Sequence, residues 1–146
     1  MKRAKISCLV LMYILPLLAS AQTVRIIPFR SHYVDARNIR VWLPAGYAPG
    51  KHYAVIYLQD GQMLFDSTIT WNRQEWRVDE TMQRLLNARQ IQNAIVVGID
   101  NNGIKREAEF FPQAAIANIT GPGQGQLQKL LPGGPMADNY LSFIVT

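Results

Sequence analysis

Two apolar runs frame the middle of the chain. Tyr53 to Leu58 is unbroken until Gln59-Asp60-Gly61-Gln62 ends it, and Ala94 to Ile99 repeats the pattern before Asp100. Runs without clean alternation predict strands covered on both faces, as in the parallel sheet of an α/β domain, so the Tyr53 strand is expected to be central. Between them, Val78, Met82, Leu85 and Leu86 have the spacing of one helical face over Val78 to Arg89. Asp79 and Glu80 fall in the first turn of this segment and Arg84 and Arg89 follow, which complements the helix dipole. Strand, helix and strand make a β-α-β unit with parallel strands and a right-handed crossover.

Upstream, TVRIIPF from Thr23 and VDARNIRVWLP from Val34 are β-rich, with Ile39, Val41 and Leu43 alternating with Arg40 and Trp42. They predict an opening antiparallel hairpin that feeds the parallel sheet. Pro44, Gly46, Pro49 and Gly50 punctuate the loop that leads on to Tyr53. Downstream, Gln113 to Pro135 is rich in Gly, Pro, Gln and Ala and reads as a mobile surface loop without repeat or phosphate-binding pattern. Asp138 to Val145 then begins a helix whose apolar residues are Tyr140, Leu141, Ile144 and Val145, with Asp138 placed to cap or charge its start.

The first 21 residues have a different character. Lys2, Arg3 and Lys5 precede an apolar stretch from Ile6 to Leu18, and Ala19-Ser20-Ala21 offers a small-residue cleavage site before Gln22. This is the order of a secretory signal, so the chain is expected to be secreted or periplasmic, with residues 1–21 removed and 22–146 forming one domain. The apolar stretch is shorter than the roughly 20 residues that span a bilayer, and no stable membrane anchor is expected. Removing it changes the charge. The whole sequence has 15 Lys and Arg against 10 Asp and Glu, but without Lys2, Arg3 and Lys5 the balance is 12 against 10, a net +2. That leaves no electrostatic case for nucleic acid or an anionic membrane. Cys8, the single cysteine, lies inside the signal. The mature chain therefore has no disulfide, thiolate metal site or cysteine nucleophile of its own.

Candidate chemistry gathers after the two buried-type strands, because ligands of open α/β sheets bind at the carboxyl ends of strands. One such end is the Asp60-Gly61 turn, where Gly61 can take angles closed to other residues and Asp60 can bond neighbouring amides; an ordinary turn fits the same residues. The other is Asn101 to Pro112, where Arg106 and Glu109 either touch a ligand or form a surface ion pair. Trp71 and Trp76 either line a pocket for an aromatic or sugar ligand or roof the core. His32 and His52 flank strands near turns without an acidic partner or metal-ligand spacing, and read as surface or structural. Asn118-Ile119-Thr120 is formally a glycosylation sequon.

Taken together and in order, YAVIYLQDGQMLFD, WNRQEWRVDETMQRL, AIVVGIDNNGIKREAEFFP and ADNYLSFIV resemble the amino-terminal half of the esterase family of α/β-hydrolases that includes esterase D, siderophore esterases, and feruloyl and acetyl-xylan esterases. The resemblance covers roughly Ile39 to Val145. It implies the first part of an α/β-hydrolase sheet and an oxyanion-hole loop at Gly61-Gln62-Met63, with the backbone amide of Gln62 or Met63 facing the oxyanion. Trp71, Arg106 and Glu109 would then contact a small-molecule or carbohydrate-linked ester; no metal or organic cofactor is implied. The family works through a glycine-flanked serine, an acid and a histidine in that chain order. Of Ser7, Ser20, Ser31, Ser67 and Ser142, none lies in a G-x-S-x-G setting, and no histidine follows Ser142. The expectation is a fragment cut before the nucleophile elbow and inactive alone. In the implied fold the nucleophile strand pairs beside the Tyr53 strand; without it that strand is an open edge, and the isolated chain should be poorly soluble or molten. The alternative is a non-catalytic carbohydrate- or partner-binding domain that uses Trp71 and Trp76.

Overall fold

The computed structural model describes residues 22–145, so the expected signal peptide and Cys8 lie outside the described residues. The fold is α/β. Strands β1 (Thr23–Phe29), β2 (Arg37–Leu43), β3 (Ala54–Gln59) and β4 (Ala94–Ile99) form one sheet in the order β1-β2-β4-β3. The β1-β2 hairpin is antiparallel, β2 pairs antiparallel with β4, and β3 lies parallel to β4 in register from Ala54 opposite Ala94 to Gln59 opposite Ile99. The expected hairpin and β-α-β unit are therefore both present, the latter closed by helix α1 (Val78–Asn87).

Sheet order overturns the central position expected from the apolar run and matches the open edge expected of the chain without the nucleophile strand. Central position falls to β4, because β2 takes its second hydrogen-bonding side; among the described residues β3 is left with a single partner at the edge. Val96 and Ala94 of β4 are buried, whereas Val55, Ile56 and Tyr57 of β3 are exposed. An apolar run shows that a strand can be covered on both faces; its neighbours decide whether it is.

The core lies between α1 and one face of the sheet. Trp42, Met82, Ala94 and Val96 are buried together, with Val24, Leu58, Phe65, Val78, Leu86 and Ile91 packed around them. Trp42 and Val96 oppose each other across β2 and β4, so the largest side chain of the sheet meets the helix at its middle. Arg40, a polar position of the β2 alternation, is buried as well, since its Nε and Nη2 donate to the two carboxylate oxygens of Asp100 at 2.7 and 2.9 Å. A buried charge is tolerable when it is paired and hydrogen-bonded in this way.

Past β4 the chain is more helical than its composition suggested. Arg106–Phe110 forms α2, Gln113–Ile116 α3, Pro122–Leu130 α4 and Ala137–Val145 α5. The mobile loop expected over Gln113 to Pro135 thus contains two helices. In α4, Pro122 stands in the first turn, where its missing N–H costs nothing and its fixed φ suits the helix. Gly121 precedes it at φ 63°, a conformation that favours glycine. Helix α5 matches its expected position and packs on α2 through Tyr140 and Phe110, whose rings meet edge to face at 5.2 Å.

Candidate functional site

The carboxyl ends of β3 and β4 bring the two expected loops together. Asp60 follows β3 in the left-handed region, at φ 55° and ψ 45°, and turns the chain into a short 3-10 segment, Gly61–Met63. Asp is among the few side chains that enter this region readily. Gly61 is then pressed onto β4. A Cβ on Gly61 would lie 2.7 Å from the carbonyl carbon of Gly98 and 2.9 Å from the Asp100 nitrogen. One on Gly98 would lie 3.1 Å from the Gly61 Cα. Two glycines facing each other across adjacent strand ends let the turn sit on the sheet itself, and any side chain at either position lifts it.

Amide use within this turn separates the candidates. The Met63 N–H donates to the Asp60 carbonyl at 2.8 Å and the Leu64 N–H to Gly61 at 3.3 Å. Among the described residues the Gln62 N–H has no hydrogen-bond partner. The Gln62 side chain is held instead, its Oε1 accepting from the Asn101 N–H at 3.1 Å.

Three arginine–carboxylate pairs join the sheet to the segments that follow β4, and two of them touch the turn. Asp60 accepts from Arg106 Nε and Nη2, each at 2.8 Å, and from Asn101 Nδ2 at 2.7 Å. The Arg106 hydrogen bonds hold the Asp60 carboxyl below the usual carboxylate range, against the opposing effect of burial, and Asp60 in turn raises Arg106. With its folded pKa depressed, Asp60 adds stability that is present above about pH 4, the range of the unfolded side chain, and is lost as pH falls through the lower folded value. Arg40–Asp100 is the second pair, directly under Gly61.

The third pair revises an expectation. Arg106 and Glu109 do not pair with each other, and Glu109 is not at the surface. Fully buried, it accepts from Arg37 Nη1 and Nη2 at 2.9 and 2.7 Å, so both oxygens are occupied within the protein. Tyr140 and Phe143 of α5 cover the same guanidinium at 5.4 and 5.2 Å from their ring centres. The Tyr140 hydroxyl donates to Gln59 Oε1, and burial pushes its pKa up to about 12. This network fastens α2 and α5 to the sheet and leaves both Glu109 oxygens engaged within the protein. Its signal was missed because the partners lie 72 residues apart in sequence.

Beside the turn is a cavity of about 640 Å3 lined by Gln62, Met63, Ile69, Trp71, Trp76 and Arg106, among others. Trp71 is 88% exposed and Trp76 55%, so neither roofs the core. Trp71 and Arg106 are thus brought beside the Asp60-Gly61 turn, whereas Glu109 is not. His32 and His52 are exposed. Among the described residues, no three His, Cys, Asp or Glu side chains are grouped to hold a metal ion, and no helix is long and apolar enough to cross a membrane.

Residues 32–144 match the family described as "Putative esterase". Among solved structures, the chain is similar to the CE1 ferulic acid esterase AmCE1/Fae1A from the anaerobic fungus Anaeromyces mucronatus. Against its structure without substrate the TM-score is 0.47 at 18% identity, over 88% of this chain and 42% of that one. Against its complex with ferulic acid the values are 0.46 and 19%, over 98% and 47%. The chain therefore spans less than half the length of that esterase. No curated protein matches the sequence significantly.

Proposed function

Since the chain belongs to this esterase family, we propose that the complete protein is a serine carboxylic-ester hydrolase and that these residues supply the oxyanion side of its site. The observation that carries this reading is the unpartnered Gln62 amide, on a rigid turn at the carboxyl end of a strand and beside a cavity. Attack on an ester places negative charge on the former carbonyl oxygen, and a preorganised N–H aimed at it is worth about 2.7 to 4 kcal/mol of the barrier. Main-chain donation explains why the turn is held by its neighbours while the Gln62 side chain faces Asn101. Met63 is the weaker candidate, because its amide already closes the turn.

In this reading a serine attacks, a histidine takes its proton and returns it to the leaving alcohol, and an acyl-enzyme forms and is hydrolysed. None of the five serines lies in the G-x-S-x-G setting that the chemistry requires. The nucleophile, acid and base are accordingly assigned outside the 146 residues, which are inactive alone. The sequence of residues 1–21 supports export, with Gln22 as the mature amino terminus.

Assay of the complete protein with 4-nitrophenyl acetate and with the 4-nitrophenyl ester of an aromatic acid tests the reading, together with a fluorophosphonate that labels active-site serine. Turnover that the label abolishes is expected; no turnover and no labelling would sink it. The exposure of Trp71 and Trp76 favours a second reading, a carbohydrate- or partner-binding domain on the same scaffold. Saturable sugar binding without ester turnover would select that one.

A further inference from the structure

Arg106 lines the cavity and is bonded to the first residue of the turn, so substrate contact is the obvious role for it. Most of its hydrogen bonds are spent elsewhere. Nε and Nη2 are both engaged by Asp60 at 2.8 Å, and Nη1 donates to Glu107 Oε1 at 3.0 Å. Its guanidinium also stands 4.9 Å from the Phe110 ring. Three of its five N–H groups already serve carboxylates, and two carboxylates around one guanidinium give the group a net charge of about −1 at neutral pH. Such a group does not attract an anion.

The same bonds point to another role. Asp60 takes a left-handed conformation at the head of Gly61–Met63, and Asn101 from the loop after β4 and Arg106 at the start of α2 hold its two oxygens. Asn101 also fixes the Gln62 side chain. The turn is thus gripped at its first residue and at the residue whose amide is free. We propose that Arg106 is a positioning residue, which orients the Gln62 amide through Asp60 and does not itself bind the substrate. The proposal rests on the esterase reading above for its catalytic meaning, but the mechanical coupling from Arg106 to the turn stands apart from it.

Two readouts on the complete protein test it, in Arg106→Met and in the conservative Arg106→Lys. Lysine can replace the charge but not the paired contact with both Asp60 oxygens. In Arg106→Met, kcat is expected to fall about tenfold or more, since a displaced oxyanion donor approaches the loss of one. KM should stay within about twofold on a neutral and on a carboxylate-bearing ester alike, and Arg106→Lys should lie between. The second readout is amide hydrogen exchange, which should quicken at Gly61 to Leu64 in Arg106→Met while β4 keeps its protection. A rise in KM confined to one ester with kcat unchanged would make Arg106 a substrate contact and overturn the proposal. Unaltered kcat, or unaltered exchange at the turn, would overturn it as well. If the unsubstituted protein turns over no ester, the esterase reading fails by itself and exchange alone decides the coupling. Should Arg106→Met not fold, Arg106→Lys carries both readouts.

Discussion

β3 and β4 are parallel neighbours of equal length, AVIYLQ and AIVVGI, and their composition barely distinguishes them. Their environments are opposite. β4 has β2 on one side and β3 on the other, and Val96 is fully buried beneath α1. β3 has one partner, and its Tyr57 is 65% exposed and its Val55 45%. Hydrophobicity fixes what a strand can bury, and pairing fixes what it does bury. The Asp60-Gly61 turn joins the two, since it leaves the exposed strand and is pressed against the buried one through Gly61 and Gly98.

The largest effect should come from breaking the β2-β4 seam. Arg40→Leu leaves the Asp100 carboxylate buried without its partner and should cost about 3 to 5 kcal/mol in urea unfolding of the complete protein. A loss under about 1 kcal/mol would mean that Asp100 finds water or another partner. Next, the same truncation can be made in both strands. In the 146-residue chain, Val96→Ala should cost about 2 kcal/mol, and Val55→Ala less than half of that, because Val55 has less area to lose. Equal costs would show that β3 is covered in solution. Smallest in stability is Tyr57→Lys, expected within about 0.5 kcal/mol of the parent in the 146-residue chain, where β3 is an edge. In the 146-residue chain expressed alone, however, it should reduce self-association measured by sedimentation, since charge on an exposed edge opposes strand-to-strand pairing. A parent chain that is monomeric at high concentration and melts in one sharp transition would contradict the open edge.

Much of this architecture was legible in the sequence because its signals are local. The apolar spacing of Val78, Met82, Leu85 and Leu86 located α1 within two residues of its end, and the opening hairpin and α5 were found in the same way. Sheet order was not legible. Nothing in VDARNIRVWLP says that β2 will take the second side of β4, since that depends on strands some 60 residues apart in the chain. The helices within Gln113 to Pro135 were missed because Gly and Gln dominate there, and only Pro122 after Gly121 marked a helix start. At the site, the turn and the exposed tryptophans were readable as residue types at a strand end. The pairing of Arg106 with Asp60, 46 residues away, was not. Arg106 and Glu109 look alike in a sequence as charges three apart, yet one rims the cavity and the other is sealed under α5.

The central claim is that the Gln62 amide receives the developing oxyanion. The most direct test is the crystal structure of the complete protein inactivated by a phosphonate, whose phosphoryl oxygen occupies the oxyanion's place. The account predicts that oxygen 2.7 to 3.1 Å from the Gln62 nitrogen, with Asp60 still held by Arg106. A phosphoryl oxygen bound elsewhere, with the Gln62 amide turned away from it, would contradict the account.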